Sequence, residues 1–268
     1  MESLLKNILK INIKDIKEVH LGLSNNHYIV NDSYFVRVPK KTKRPDYNPK
    51  QEALIEESIG AIFHPSIDNL YFDKENGIKI SNLISDFTTF DNRNIIFTHI
   101  RRIADCLRKF HSSNIAGINK FNVKEKIKQY KTTAKTASLL KEEEIIKQYE
   151  QYENDELVLC HNDLVPGNIL FINHKVELID YEYASLNDPY FDLASFLSEN
   201  NITDEIVIKF FLEQYFKEPI KEEQYKKLHA FINLNNLLWY YWALMMYEID
   251  KQTIYLEIAK EKKENLEK

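Results

Sequence analysis

The first third of the chain carries short apolar runs separated by polar turn residues and reads as strands. Tyr28-Ile29-Val30 and Tyr34-Phe35-Val36-Arg37-Val38 are short β runs flanking Asn31-Asp32-Ser33, a composition that predicts a hairpin. Residues 50–60, KQEALIEESIG, predict a helix ended by Gly60. The stretch NLYFDKENGIKISNLI predicts a second hairpin that turns at Glu75-Asn76-Gly77. After residue 84 the pattern becomes helical, with Ile100, Ile103, Ala104, Leu107 and Phe110 on one face. Residues 122–152 are charged and read as helical with a thin apolar stripe. LVLC, NILFI and VELIDY then return to strands between 157 and 181, and helix follows from about Asp188 to the end, broken near Pro219. No internal repeat or low-complexity linker interrupts this order.

The expected architecture is α+β and bilobal. A small β-rich N-terminal lobe covers 1–83, and a larger, mainly helical C-terminal lobe with a short β insertion covers 84–268. A cleft between two such lobes is a usual place for a small-molecule site. Composition narrows the class. At 44% hydrophobic and 29% charged residues the chain is globular, and its net charge of −5 argues against a nucleic-acid partner. The basic run Pro39–Arg44, PKKTKR, reads as a solvated loop. Cys106 and Cys160 sit in no ligand pattern and form no disulfide framework, which fits a reducing cytosol. The longest apolar run, Leu237–Tyr247, is too short to span a bilayer, and the N-terminus has no signal-peptide core, so a cytoplasmic protein is expected. Nothing in the sequence requires a second chain.

Chemistry concentrates in LCHNDLVPGNILF. His161, Asp163 and Asn168 fit H-x-D-x-x-x-x-N, the spacing of a kinase catalytic loop. In that arrangement Asp163 takes or orients the proton of an attacking hydroxyl, the chain turns at Pro166-Gly167, and Asn168 offers an amide oxygen to Mg2+. The spacing alone also suits a polar turn in which Asp163 or Asn168 bonds its own backbone. Asp180 decides between them. It ends the run VELID, and a hairpin turning at Asn173-His174 returns it beside Asn168, giving the hard oxygen donors that Mg2+ on ATP requires. A phosphate-facing cation is available in Arg37, with Glu52, Glu56 and Glu57 as carboxylate partners and Glu52 the first choice. Ser24, Asn25 and Asn26, in LGLSNNHY, can cover phosphates with backbone N–H groups and amides. Ile80 and Asn82 complete the expected nucleotide side. His161 reads as a loop-orienting residue, since no Ser/His/Asp hydrolase pattern accompanies it.

HNDLVPGNIL, LIDYEYASLNDPYFDLASFLSE and LLWYYWALMM together resemble the choline/ethanolamine kinases, bacterial choline kinases above all, within the aminoglycoside-phosphotransferase and protein-kinase-like superfamily. GLSNNHYIV and YFVRVP resemble that family's phosphate loop and strand Arg. The likeness runs from about residue 20 to 247 and is weak over 110–155. It implies a protein-kinase-like fold and transfer of the ATP γ-phosphate to the hydroxyl of a small amino alcohol. Asp163 then matches the base, Asn168 and Asp180 the Mg2+ ligands, and Arg37 the phosphate-binding Arg. Asp192 matches a structural support of the catalytic loop, and Glu182 is either a supporting residue or substrate-facing. With DYE in place of D-F-G and no A-P-E segment, a protein substrate is not expected.

Choline has a fixed charge and no N–H donors, so aromatic faces and a nearby carboxylate must hold it. Trp239 and Trp242, three apart on one helix face, serve that role, and Tyr183 and Glu199 match positions lining the family's choline pocket. Tyr240, Tyr241 and Tyr247 are less specific candidates. The expected reaction is ATP- and Mg2+-dependent phosphorylation of choline. Ethanolamine, thiamine or an aminoglycoside are rival acceptors, although an aminoglycoside pocket should carry carboxylates where this chain has Trp and Tyr. An inactive nucleotide-binding module is the rival of another class, disfavoured by the intact Asp163, Asn168 and Asp180 set.

Overall fold

The apolar runs of the first third build a five-stranded antiparallel sheet. Helix α1 (Glu2–Leu9) precedes β1 (Ile16–Val19), β2 (Asn25–Val30) and β3 (Tyr34–Pro39); helix α2 (Pro49–Phe63) intervenes before β4 (Asn69–Phe72) and β5 (Lys79–Asn82). The spatial order is β1-β2-β3-β5-β4. Left-handed backbone at Asn31 (φ 51°) and Asp32 (φ 49°) makes the β2–β3 turn, the geometry that matches the twist of a hairpin. Leu5 of α1 closes a buried cluster with Val30, Val36 and Ile80 of the sheet. This computed structural model describes residues 2–40, 44–153 and 156–267.

Helix α2 begins at an Asn48 cap that accepts the Gln51 N–H, with Pro49 in its first turn. It does not stop at Gly60, as the sequence suggested, but runs to Phe63. Gly60 is buried, and a Cβ there would lie 2.9 Å from Nε2 of His64. The glycine makes room for the His64–Glu56 pair rather than ending the helix.

The chain forms two compact units, Met1–Thr89 with Gly167–Tyr183, and Phe90–Pro166 with Ala184–Lys268. The first unit is therefore discontinuous, and its limits differ from a linear division at residue 83. Its second segment is the hairpin β8 (Ile169–Ile172) and β9 (Lys175–Leu178), turned by left-handed Asn173 (φ 48°) and His174 (φ 64°). Residues 84–96 were expected to be helical. They instead contribute the short strand β6 (Thr88–Thr89), which pairs with β8, and helix starts only at Phe97. Asp91 accepts the Arg93 N–H at 3.0 Å, a turn that keeps this polar stretch out of the helix.

The second unit contains α3 (Phe97–His111), α4 (Val123–Ala134), α5 (Glu142–Glu150), β7 (Val158–Cys160), β10 (Ser185–Asn187), α6 (Pro189–Glu199), α7 (Glu205–Phe216), α8 (Glu222–Asp250) and α9 (Ile254–Glu267). The 122–152 helix is thus two helices. Thr132 and Thr133 bond back to the Lys128 and Gln129 carbonyls, and left-handed Lys135 (φ 52°) caps α4. Two further breaks, at 200–204 and 251–253, add to the one near Pro219. Helix α8 is the centre of this unit and packs against α4, α5, α6 and α9, while α3 packs against α7. Among the described residues no helix is long and apolar enough to cross a membrane.

Gly60→Ala tests the crowding at α2. Alanine favours a helix interior by about 1 kcal/mol, yet the close approach to His64 should outweigh this and lower unfolding stability by about 1 kcal/mol. Urea denaturation reads the change, and an unaltered or raised midpoint would contradict the packing argument.

Candidate functional site

In the first unit Arg37 is the centre. Its guanidinium makes a two-pronged pair with Glu52 (2.6 and 2.7 Å), bonds Asp180 Oδ1 at 2.8 Å, and donates to the Tyr47 hydroxyl (3.1 Å) and the Gly77 carbonyl (3.3 Å). Burial works against its charge, and Glu52 followed by Asp180 more than reverses that, so its pKa rises above the ordinary value. Glu52 is thus the carboxylate partner of Arg37. Glu56 instead pairs with His64 and Lys79, and Glu57 with the exposed Lys74. Tyr47 donates to Glu52 at 2.8 Å. It can lie there because Gly77 (φ 73°) has no side chain; a Cβ at Gly77 would run into the Tyr47 ring.

The β8–β9 hairpin places Asn168 and Asp180 at its open end, where the Ile179 N–H bonds the Asn168 carbonyl at 3.2 Å. Asp180 has left-handed backbone (φ 65°), which is unusual for a non-glycine residue and turns the chain just after the strand. Burial raises its pKa, with Arg37 pulling the other way. A carboxylate whose charge is disfavoured by burial, at the same hairpin end as Asn168, suits a hard dication, which would favour the ionised form. The residues present therefore fit Mg2+.

Arg44 contradicts the solvated-loop reading of Pro39–Arg44; Lys41–Lys43 lie outside the described residues. Its side chain is 6% exposed and bonds Glu182 Oε1 (2.9 Å) and the Tyr183 hydroxyl (2.7 Å). Burial, opposed by Arg44 and reinforced by Asp180, pushes the Glu182 carboxyl up to about 7.

Other expected nucleotide residues are placed differently from the sequence reading. Asn25 and Asn26 belong to β2 and pair with Pro39 and Val38, leaving Ser24 just before the strand. Asn25 is buried. Ile80 is fully buried in the α1–sheet cluster between β3 and β4, so its side chain serves the core. Asn82 accepts the Asp68 N–H and donates to the Ser66 carbonyl, which uses its amide to hold a turn.

In the second unit the loop bearing Asp163 is pinned through its backbone. Asp192 accepts the N–H groups of His161 and Asn162, each at 2.7 Å, and meets His111 Nε2 at 2.9 Å. The Leu164 N–H bonds Ser195 Oγ at 3.1 Å, and Asn200 donates to the Leu164 carbonyl at 2.8 Å. Asp163 is half-buried between these fixed neighbours, and left-handed Asn162 (φ 65°) turns the chain before it. Asp192 therefore supports the loop, while the cap bond of α6 comes from Asp188. His111, Cys160 and Asp192 lie close enough to hold a metal, but both Asp192 oxygens already accept backbone N–H groups, and burial holds the Cys160 thiol protonated.

Trp239 and Trp242 meet edge to face on α8 at 5.7 Å between ring centres, and Trp242 also meets Tyr255. Both indoles are more than nine-tenths buried. Trp239 donates to Asn235, whereas the buried Trp242 Nε1 has no partner among the described residues. Glu199 is not a free carboxylate as its expected role required: Lys262 of α9 bonds it at 2.7 Å. Tyr241 is fully buried and bonds Glu142 and the Leu139 N–H. Sequence reasoning missed Tyr47, Lys262 and the burial of Arg44. Only the apolar positions of α9 hinted that Lys262 would face inward.

These features define a kinase-like α+β fold that carries a hairpin-borne pair of oxygen donors, a buried Arg–carboxylate cluster and a pinned Asp loop. The sequence profile of the choline/ethanolamine kinase family matches residues 88–266, and the chain belongs to that family. It is a phosphotransferase acting on an alcohol acceptor. Protein LicA of Haemophilus influenzae is 24% identical over 243 residues, covering 83% of this chain and 70% of LicA. The fold is similar to that of the choline kinase LicA of Streptococcus pneumoniae (TM-score 0.79, 22% identity, 99% and 98% of the two chains). It is also similar to a LicA structure in complex with AMP (TM-score 0.74, 23% identity, 99% and 97% coverage).

The raised Glu182 pKa has a signed consequence. Unfolded, the group ionises near its ordinary 4.5; folded, it holds its proton to about 7. The unfolded state therefore releases this proton first, and the group's contribution to stability declines as pH rises across that window. Glu182→Gln should flatten the wild-type stability profile there, measured as urea midpoints against pH. A variant that keeps the full slope would assign it to other groups.

Proposed function

We propose that this chain transfers the γ-phosphate of ATP to the hydroxyl of choline, with Asp163 as base. The carrying observation is the loop presenting Asp163, fixed from below by Asp192 and from the side by Ser195 and Asn200, in a chain of the choline/ethanolamine kinase family. A rigid base helps because phosphoryl transfer depends on positioning and charge stabilisation more than on covalent steps. Asp163 accepts the hydroxyl proton as the oxygen attacks phosphorus. Arg37, held by Glu52, offers its guanidinium to the nucleotide phosphates, and Ser24 lies on the same nucleotide side. Mg2+ held by Asn168 and Asp180 would supply neutralisation of the phosphate charge.

Tyr183, Trp239 and Trp242 are assigned to the acceptor, with Glu199 contributing through its pair with Lys262. Choline is favoured over ethanolamine by the state of one carboxylate. Glu199, which matches a pocket-lining position, is already paired with Lys262 and so offers less to the N–H groups of a primary amine. A quaternary ammonium has no N–H groups and is held by aromatic faces. Cys106 and Cys160 form no disulfide among the described residues.

The test is ADP release from ATP-Mg with choline, ethanolamine, thiamine and an aminoglycoside. Choline should give the highest kcat/KM. A preference for another acceptor would reassign the substrate, and no acceptor-dependent release at all would contradict the function. Asp163→Ala should lower kcat by roughly 10²- to 10⁴-fold, the usual worth of a general base, while ATP still binds in calorimetry. Retained turnover would remove Asp163 from the role.

A further inference from the structure

Arg44 lies between β3 and α2, outside helix and strand, yet its guanidinium is enclosed. The Tyr47 and Tyr183 rings lie 5.6 and 5.2 Å from its centre. Glu182 Oε1 and the Tyr183 hydroxyl accept its hydrogen bonds, and Asp46 Oδ1 lies 3.4 Å from its Nε. Two aromatic faces with a buried carboxylate make a general receptor for an organic cation. The receptor is also incompletely satisfied by its present occupant. Glu182 is 5% exposed, and its Oε2 is buried without a partner among the described residues. An orphaned carboxylate oxygen in such a place is costly.

We propose that Arg44 is the chain's own cation in a box built for the acceptor's cation, so that a cationic acceptor must displace it to reach Tyr183. This rests on the assignment of Tyr183 to the acceptor. Two consequences follow from the charges. A neutral alcohol cannot take the place of Arg44, because it would leave Glu182 buried beside Asp180 without a compensating charge, so Arg44 selects for cations. Occupation by Arg44 also lowers apparent acceptor affinity by the fraction of time that the box is open. Leaving the box breaks no helix or strand hydrogen bond of Arg44 itself, since its backbone belongs to neither.

The probe is tetramethylammonium, a cation without a hydroxyl, titrated calorimetrically in the absence of ATP. If Arg44 fills the box roughly nine-tenths of the time, Arg44→Gln should bind the probe about tenfold tighter than wild type. Arg44→Lys, which restores a cation, should fall between them. Adding Tyr183→Ala to Arg44→Gln should abolish the gain. Equal or weaker binding by Arg44→Gln, or a gain that survives loss of Tyr183, would overturn the proposal. In wild-type protein the Arg44 Nε–H resonance should move toward its solvent-exposed position on adding the probe; a resonance unmoved at saturation would overturn it without any variant. Because the probe cannot be phosphorylated, the outcomes separate. Tighter probe binding with no turnover of any acceptor would keep the box and sink the kinase reading, and choline turnover with no gain would do the reverse.

Discussion

One buried cation organises the first unit. Arg37 draws together β3, α2 through Glu52, Tyr47 just before α2, and the end of the β8–β9 hairpin through Asp180. Desolvating a guanidinium is expensive, and only well-formed carboxylate pairing makes its burial tolerable. Removing it would leave Glu52 and Asp180 as uncompensated like charges, a loss of about 3–5 kcal/mol by comparison with other broken buried pairs. The cluster constrains distant residues as well. Gly77 must lack a side chain so that Tyr47 can reach Glu52, and Asp180 must accept left-handed backbone to face Arg37.

The second unit solves a different problem. There the fixed object is a stretch of backbone, the His161–Leu164 loop, and the fixing groups are side chains of α6 and its C-terminal end: Asp192, Ser195 and Asn200. A buried carboxylate that accepts two N–H groups and a histidine contact leaves the loop little freedom. Asp163 inherits that rigidity without being buried itself. One unit fixes a cluster of buried charges; the other fixes a stretch of backbone.

The parts legible in the sequence were those set locally. The Asn31-Asp32 and Asn173-His174 turns are encoded by residues that tolerate left-handed backbone, and the second of them predicts the Asn168–Asp180 juxtaposition from spacing alone. The H-x-D-x-x-x-x-N spacing likewise marked the Asp163 loop. What was not legible depends on residues far apart in the chain. Glu199 is neutralised by Lys262, 63 positions away, and Arg44 is buried by Glu182 and Tyr183, nearly 140 away. A basic residue in a polar run looks solvated until its partners are known. Ile80 and Asn82 belong to core and turn for a related reason: a short apolar run marks a strand, but not what each of its faces meets. Gly60 reads as a helix stop by composition, and its actual purpose, space for His64, is tertiary.

On the proposed reading, Mg2+ held by Asn168 and Asp180 would couple dication binding to ATP binding through the Asp180 carboxylate. ATP affinity measured by calorimetry across a Mg2+ titration tests it most directly. The account predicts that wild-type affinity climbs with Mg2+, and that Asp180→Asn loses most of this dependence while still binding nucleotide. An Asp180→Asn protein with the wild-type Mg2+ dependence would contradict it.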